Sequence, residues 1–428
     1  MAALTSGFMP LLSVFGKPPS SRFAMNPGLV SYNNLPSSRS PITAGLKNVA
    51  TKCSKATNAS SDATSEVIRH FDPSVWDGHD FTSASSNHLI DERKLKELKK
   101  EVKTMFSLAA ADSFRELDLI DKIQRLGVAY HFEDEIEHIL QRTNNDDYTH
   151  FFDQNIFKNE HADLYYVSLR FRLLRQAGYY VSTDVFKNFK DEKGEFQANL
   201  ASDVQTMLSL FEASYLGFRG EDIMDEAMAF STKHLNSMLT SLSFPLALQV
   251  QNALMMPLQR IPERVYARYY IPIYEQEISQ NKTLMEFAKL DFNSVQLLHR
   301  NEINEVQSWW KRMNIRSKLQ YDVRDRVVEA YAIINNIYFE PKFSQARIHL
   351  AKLWVIITLI DDTYDVFGNI DELKQLCDAF QRWDANCTNH LSDAMKLVFL
   401  EVLNFFNDIE TSMIKAGNVA GVPFFKKE

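Results

Sequence analysis

The pattern of apolar residues from about Asp91 onward has the period of an α-helix. Apolar side chains recur three or four positions apart, as in the stripe of Leu117, Ile120, Ile123 and Leu126. Gly127 interrupts this stripe, and a second run with Ile136 and Leu140 follows. No segment alternates apolar and polar residues between hairpin turns, as a sheet would require. The pattern therefore predicts an all-α fold.

Three prolines interrupt the helical pattern near the middle of the chain. Pro257, Pro262 and Pro272 lie within the stretch MMPLQRIPERVYARYYIPIY. Prolines end helices and stiffen the connections between them. The sequence therefore predicts one helical domain at residues 63–270 and a second domain at residues 280–428. Neither part shows a repeat of fixed period, so a solenoid is not expected.

The amino-terminal segment differs in composition from the rest of the chain. Residues 1–61 contain eleven Ser and six Lys or Arg residues, and no Asp or Glu. This composition is typical of an organelle transit peptide and fits a secretory signal less well. A plain disordered tail is the alternative. We expect residues 1–62 to be a disordered plastid transit peptide that directs the protein to the stroma, with the cytoplasm as the alternative location.

The rest of the chain has a negative net charge. Residues 62–428 carry 41 basic and 55 acidic residues, a net charge of −14. Such a charge argues against binding to nucleic acid or to anionic membranes, although a local basic patch can still bind a phosphate. No apolar run approaches the ~20 residues of a membrane span. Cys53, Cys377 and Cys387 lack zinc-like spacing to histidines, so neither zinc nor a disulfide is expected.

The stretch LIDDTYDVFG places three aspartates at the end of an apolar run. On a helix, Asp361 and Asp365 project from one face, and Asp362 points about 100° away. Two carboxylates on one wall suit Mg²⁺, which completes its shell with water and substrate phosphate oxygens. A calcium loop is the rival, but Val366 occupies the position where such a loop needs glycine. The alternative without a metal is that these aspartates cap a helix or face water.

A pair of arginines precedes this stretch in YDVRDRVVEAY. Arg324 and Arg326 are two positions apart and would face different directions on a helix. They can converge on one anion if they lie in a loop that leads into the helix, whose amino terminus also favours negative charge. The alternative is a pair of surface arginines that answer Asp322 and Asp325. Together, a metal wall and an arginine pair indicate a diphosphate ligand.

Aromatic residues are frequent near these charges. Aromatic faces attract cations, and a carbocation left by a departing diphosphate needs such a lining and the exclusion of water. Taken singly, each aromatic residue near these charges can equally be interpreted as an ordinary residue of the hydrophobic core. The candidates are Trp309, Trp310, Tyr331, Trp354, Tyr364 and Phe367.

With these motifs, the sequence resembles the plant terpene synthase family from about Pro73 to its end. The carboxy-terminal motifs are RDR, YFEPKFSQAR, LIDDTYDVFG and FQRWD; the amino-terminal ones are DPSVW, LIDKIQRLGVAYHFEDEI, DVFKNFKDEKGEF and LSLFEASYLGFRGEDIMDEA. The resemblance implies an amino-terminal helical barrel followed by a class I terpenoid synthase helical bundle. It also implies a monomeric carbon–oxygen lyase that ionises a prenyl diphosphate with Mg²⁺, or with Mn²⁺ as the alternative ion.

The resemblance assigns a role to each charged residue of the two motifs. Asp361 and Asp365 match the metal ligands, which also hold the substrate through the metal. Asp362 matches a supporting catalytic residue. Arg324 and Arg326 match the arginines that bind the diphosphate and assist its departure.

Three departures from the family pattern affect the expected function. Glu66 and Val67 stand where enzymes that cyclise monoterpenes usually carry two arginines, and Ile333 stands where many relatives have tryptophan. The second metal motif of the family is absent from the 63 residues that follow Asp365. We therefore expect an incomplete carboxy-terminal bundle with unpartnered apolar helix faces. The plastid address favours geranyl diphosphate as the substrate, with farnesyl and geranylgeranyl diphosphate open. The alternative function is that of a truncated, catalytically silent homologue, either a binding or regulatory protein or the product of a pseudogene.

Overall fold

The structure is a computed structural model that describes residues 71–79, 81, 92–110, 112–145, 160–366, 369–417, 419 and 422. Within these ranges the chain is helical, and the sole extended pairing is an isolated bridge between Lys190 and Phe196. The predicted all-α fold is confirmed. The predicted transit peptide, residues 1–62, lies outside the described residues.

The α-helices are numbered here in chain order. They are α1 Glu92–Ala109, α2 Ser113–Arg125, α3 Glu133–Asn145, α4 Glu160–Gln176, α5 Val204–Ser214, α6 Asp222–Met238, α7 Leu246–Met255, α8 Glu263–Tyr274, α9 Lys282–Met313, α10 Ile315–Lys318, α11 Val327–Ile337, α12 Ser344–Val366, α13 Ile370–Arg382 and α14 Asp393–Lys415. Short 3₁₀ turns connect several of them, at Ala129–His131, Thr183–Phe189, Ala198–Ser202, Leu239–Ser241, Leu258–Arg260, Pro341–Phe343 and Ala385–Cys387.

The apolar stripe of α2 forms part of the first core. Leu117, Ile120, Ile123 and Leu126 are fully buried. The helix begins after Asp112, whose side chain accepts hydrogen bonds from two backbone N–H groups of the first turn. Gly127 ends it with φ +71°, and a Cβ added there would lie 2.9 Å from the Cβ of Ala267. Glycine is therefore required both by the left-handed backbone and by the close approach of α8.

The first core unites α1 to α8 with the beginning of α9. A cluster of four buried charges lies within it: Arg125 donates to both Asp121 and Glu212, and Arg172 donates to Asp121. Each charge has an opposite partner, which is the condition for burying charged groups at tolerable cost.

The three central prolines act in two different ways. Pro257 and Pro262 directly precede the turn Leu258–Arg260 and α8, where a proline fits the start of a helix. Pro272, in contrast, lies inside α8, in its last turn. A proline there removes one backbone hydrogen bond, but it does not end the helix.

Helix α9 connects the two cores. Its first half, including Leu284 and Phe287, packs in the first core, and its second half, from Ile303 to Met313, packs in the second. The second core also contains residues of α11, α12 and α14. A smaller cluster joins α13 to α14. The 32 residues of α9 thus form a continuous helical link between the amino-terminal and carboxy-terminal parts.

Helix α11 has one buried and one exposed apolar side. Val327, Tyr331 and Ile334 are buried, whereas Ile333 and Ile337 are exposed by 41% and 49%. In the described part of the chain, Pro341–Val366 is the stretch long and apolar enough to cross a membrane, with a mean hydropathy of 1.2. Because 56% of its apolar window is buried inside the protein, it has the environment of a core helix.

Candidate active site

The candidate site lies where the loop before α11 meets the end of α12. The guanidinium of Arg324 donates from Nε to Oδ1 of Asp362 and from Nη2 to Oδ2 of Asp361, both at 2.5 Å. The backbone N–H of Arg324 also donates to Oδ2 of Asp362, at 2.7 Å. The predicted loop position of Arg324 thus brings the first arginine of the pair to the first two aspartates of LIDDTYDVFG.

The three aspartates have different environments. Asp362 is fully buried, and both of its oxygens accept hydrogen bonds from Arg324. Asp361 and Asp365 lie one helical turn apart on α12, and both are exposed. Asp361 and Asp365 therefore have oxygens within reach of solvent and ligands, whereas Asp362 serves to hold the arginine loop.

The donor set fits a hard divalent cation that binds mainly through water and substrate. Among the residues that the structure describes, no group of three or more His, Cys, Asp or Glu side chains could hold a metal ion. Mg²⁺ needs only one or two protein carboxylates when phosphate oxygens and water complete its octahedron. The exposed pair Asp361 and Asp365 meets that requirement, and Asp362 does not contribute because its oxygens are already engaged.

The second arginine has other partners. Arg326 precedes the first residue of α11 and donates from Nη2 to the backbone carbonyl of Asp72 at 2.6 Å. Its Nη1 lies 3.8 Å from Oε1 of Glu329, one turn into the helix. The structure thus places both arginines beside the same helix start, but it joins only Arg324 to the aspartates. Asp322, one of the two acids considered as alternative partners, faces Arg316 at 3.4 Å.

The segment of residues 71–79 covers this loop. The ring of Phe71 lies 5.0 Å from the guanidinium carbon of Arg324, and its backbone N–H donates to Asp322. The hydroxyl of Ser74 donates to Glu329 at 2.7 Å. Sequence reasoning missed these contacts because they join residues more than 250 positions apart, and the DPSVW motif was the only local signal.

Charge pairing determines the protonation of the site. Burial disfavours the charge of Arg324, but its hydrogen bonds to Asp361 and Asp362 outweigh this effect and raise its pKa. Burial raises the pKa of Asp362, and the hydrogen bonds from Arg324 oppose that rise. The arrangement is therefore a charged arginine held between Asp361 and Asp362.

The aromatic candidates are distributed between the core and the site. Trp310 and Tyr331 are buried in the second core, and Trp309 and Trp354 pack at its edge. Tyr364, next to Asp365, lies 2.9 Å from the thiol of Cys377. Phe367 lies outside the described residues. Most of these aromatic rings therefore act as packing residues in the described part of the chain.

A buried ion pair supports the helices that carry the site. Arg347 of α12 donates from Nε and Nη2 to the two oxygens of Glu302 of α9, at 2.8 and 2.7 Å. Its Nη1 donates to the carbonyls of Tyr338 and Glu340, and the hydroxyl of Tyr331 donates to Glu302. Sequence reasoning missed this network, although the arginine belongs to the YFEPKFSQAR motif.

A cleft of about 360 Å³ lies beside the arginine loop. Trp76 and His79 of the amino-terminal segment line one side, and Lys311 of α9 and Glu329 of α11 line another. Neither Asp361 nor Asp365 lines this cleft. The exposed carboxylates of Asp361 and Asp365 at the end of α12 are therefore separate from this cleft.

Two family models match the chain. Residues 69–254 match the terpene synthase N-terminal domain, and residues 311–428 match the metal binding domain of the terpene synthase family. The second match contains both arginines and all three aspartates of the candidate site.

Individual proteins agree with the family models. The chain is 44% identical over 351 residues to (−)-germacrene D synthase of Vitis vinifera, covering 81% of the chain and 61% of that protein. It is 44% identical over 355 residues to sesquiterpene synthase 2 of Toona sinensis, covering 81% and 62%. Both sequence identities are high enough to establish that the proteins are homologous to this chain.

A solved structure agrees as well. Isoprene synthase from grey poplar leaves, in complex with three Mg²⁺ ions and dimethylallyl-S-thiolodiphosphate, is 38% identical. The match has a TM-score of 0.66 and covers 76% of this chain and 60% of that one. The chain thus spans about 60% of the length of these three relatives. Family models, sequence identity and fold agree, and the chain belongs to the terpene synthase family.

Proposed function

We propose that this chain acts as a magnesium-dependent terpene synthase, a carbon–oxygen lyase that binds a prenyl diphosphate and ionises it. The proposal is carried by one observation, the direct contact of Arg324 with Asp361 beside the exposed Asp365. This arrangement joins a cationic donor for phosphate oxygens to two carboxylates suited to a hard cation. A diphosphate with a divalent cation is the ligand that uses both.

Each residue would contribute a separate part of the chemistry. Bound Mg²⁺, with Mn²⁺ as the alternative ion, would neutralise the charge that develops on the departing diphosphate. Asp361 and Asp365 would hold that ion, and the guanidinium groups of Arg324 and Arg326 would bind the diphosphate oxygens. Asp362 would fix Arg324 in position, because it holds both the backbone and the side chain of that residue.

The relatives favour a longer substrate than the plastid argument does. One relative is named a sesquiterpene synthase, and another a germacrene D synthase. These names support farnesyl diphosphate, and they give no support to the expected geranyl preference. The isoprene synthase structure contains dimethylallyl-S-thiolodiphosphate, so the fold alone does not determine the length of the substrate. We therefore propose farnesyl diphosphate as the substrate.

The test is a turnover assay with dimethylallyl, geranyl, farnesyl and geranylgeranyl diphosphate in the presence of Mg²⁺. Diphosphate release and volatile products are measured, and release from farnesyl diphosphate is expected to be greatest. Asp361→Ala should nearly abolish release. The matched control is Asp371→Ala, an exposed acid whose partner Lys374 is 3.6 Å away on the same helix. Metal binding without any release would instead favour a catalytically silent binding homologue.

Location and assembly are also proposals. The composition of residues 1–61 supports a plastid address, and import of the fluorescently tagged chain into isolated chloroplasts would test it. Retention of the tagged chain outside the organelle would favour the cytoplasm. A monomer is proposed, and light scattering coupled to size-exclusion chromatography would reveal a dimer if one forms.

A further inference from the structure

The guanidinium of Arg324 is divided between two neighbouring carboxylates that differ in exposure. Asp362 is fully buried and holds Arg324 through both its backbone N–H and its Nε. Asp361 is 59% exposed at its side chain and accepts the outer nitrogen, Nη2, at 2.5 Å. The inner contact therefore fixes the arginine, and the outer contact places its charge on an oxygen that solvent and ligands can reach.

A divalent cation that binds Asp361 must approach the same carboxylate. A carboxylate that accepts a short, charge-assisted hydrogen bond has part of its charge already compensated. A cation on that carboxylate would also lie only a few ångströms from the guanidinium, where like charges repel strongly. Arg324 and the metal ion therefore disfavour each other at Asp361.

Arg326 provides an internal comparison. It carries the same charge two positions further along the loop, but it donates to the carbonyl of Asp72 and faces Glu329. It makes no hydrogen bond or ion pair with Asp361, Asp362 or Asp365 in the described structure. Any effect that requires contact with Asp361 should therefore distinguish Arg324 from Arg326.

We propose that Arg324 is an intramolecular competitor of the divalent metal at Asp361, which lowers metal affinity until a diphosphate draws the guanidinium away. The inference rests on the proposed function and adds regulation to the same site. Because Arg324 prefers a diphosphate anion to a single carboxylate, substrate binding weakens its hold on Asp361. Metal and substrate then bind cooperatively, since each removes an obstacle to the other.

The test measures Mn²⁺ binding to the 428-residue protein by the electron paramagnetic resonance signal of free Mn²⁺, without substrate. Arg324→Gln is the principal variant, because its amide can still donate to Asp362. We expect it to bind Mn²⁺ about fivefold more tightly than the unchanged protein, as the loss of one partly exposed ion pair implies. Arg326→Gln removes the same charge and should change the affinity less than about twofold.

Folding is checked by circular dichroism, and Arg324→Met replaces the principal variant if Arg324→Gln does not fold. Equal Mn²⁺ affinity in the unchanged protein and in the Arg324 variant would overturn the competition. So would an equal gain in Arg326→Gln, which would reveal a general charge effect. Mn²⁺ binding that is unaffected by Asp361→Ala would overturn both this inference and the metal role in the proposed function. The failures are therefore distinguishable: the first two results overturn the competition and leave the metal role of Asp361 intact, whereas the last result removes that role as well.

Discussion

Replacing Arg347 by methionine is expected to be among the most destabilising single changes in the carboxy-terminal part. Arg347 is fully buried and makes hydrogen bonds to both oxygens of Glu302 and to two backbone carbonyls. Without it, Glu302 remains a buried carboxylate whose remaining donors, the hydroxyls of Tyr331 and Ser344, carry no charge. Breaking a buried ion pair in this way costs about 3–5 kcal/mol, so we expect Arg347→Met to lose about 4 kcal/mol.

Removing both charges should cost less than removing one. In the double variant Arg347→Met with Glu302→Leu, no uncompensated charge remains. The cost then comes mainly from three buried groups at roughly 1 kcal/mol each: the carbonyls of Tyr338 and Glu340 lose a donor, and the hydroxyl of Tyr331 loses its acceptor. We therefore expect a loss of about 3 kcal/mol, less than that of the single variant.

Urea unfolding followed by tryptophan fluorescence measures these losses. Trp309, Trp310 and Trp354 all belong to or pack against the second core, so the signal reports on the region that contains the ion pair. The control is the pair Lys352 and Glu305, which connects the same two helices at 2.9 Å and whose carboxylate is 50% exposed. Glu305→Gln should cost less than about 1 kcal/mol, because ion pairs with a solvent-exposed partner contribute little.

The dependence on pH provides a second check. Burial alone would raise the pKa of Glu302, but its hydrogen bonds with Arg347, Ser344 and Tyr331 hold it below the ordinary value of 4.5. A lowered folded pKa stabilises the protein above pH 4.5, and this contribution is lost as pH falls through the folded value. The penalty of Arg347→Met should therefore shrink toward pH 4. A penalty below about 1 kcal/mol at neutral pH, or a double variant as unstable as the single one, would refute the reasoning.

Three further predictions follow from the described residues. Gly127→Ala should lower the free energy of unfolding in urea by about 2 kcal/mol, because it adds a clash with Ala267 to the strain of a left-handed backbone. Gly194→Ala, at a position with φ +82° and open space around it, should lower it by about 1 kcal/mol. Equal losses in the two variants would argue against the clash. Burial lowers the pKa of His299 to about 4, so the free energy of unfolding should fall by at most about 2 kcal/mol as pH drops from 7 to 5. His299→Gln should reduce that fall. If the variant shows the same dependence of unfolding free energy on pH, His299 is not its cause. Ile333→Trp, at an exposed site on α11, should alter the products of an active, complete enzyme in gas chromatography, and an unchanged profile would contradict a role for that side chain.

Local patterns predicted the helices and part of the site. The buried apolar stripe of α2 and its end at Gly127 could be predicted from the sequence, because buried positions on a helix repeat with the helical period. The loop position of Arg324 and the acidic end of α12 were predicted because both are local features, whereas the direct contact of Arg324 with Asp361 and Asp362 was not predicted. Tertiary contacts without a period were not predictable, and the bond between Arg347 and Glu302, 45 positions apart, is an example.

The different fates of the two arginines illustrate the same limit. In an extended loop, residues two positions apart point to the same side, and such a loop would turn Arg324 and Arg326 toward one ligand. Arg326, however, has φ −126° and ψ 33°, because α11 begins at the next residue. Its backbone has left the extended region, and its side chain meets the carbonyl of Asp72 instead of the aspartates.

This divergence bears on how a diphosphate could engage both arginines. Arg324 would have to release Asp361, and Arg326 would have to release the carbonyl of Asp72. The second exchange involves the segment that also contacts Arg324 through the ring of Phe71. Because one segment touches both arginines, a ligand that recruits them together must also change the contacts of that segment. In the proposed function, the segment of residues 71–79 would therefore be coupled to diphosphate binding through its contacts with both arginines.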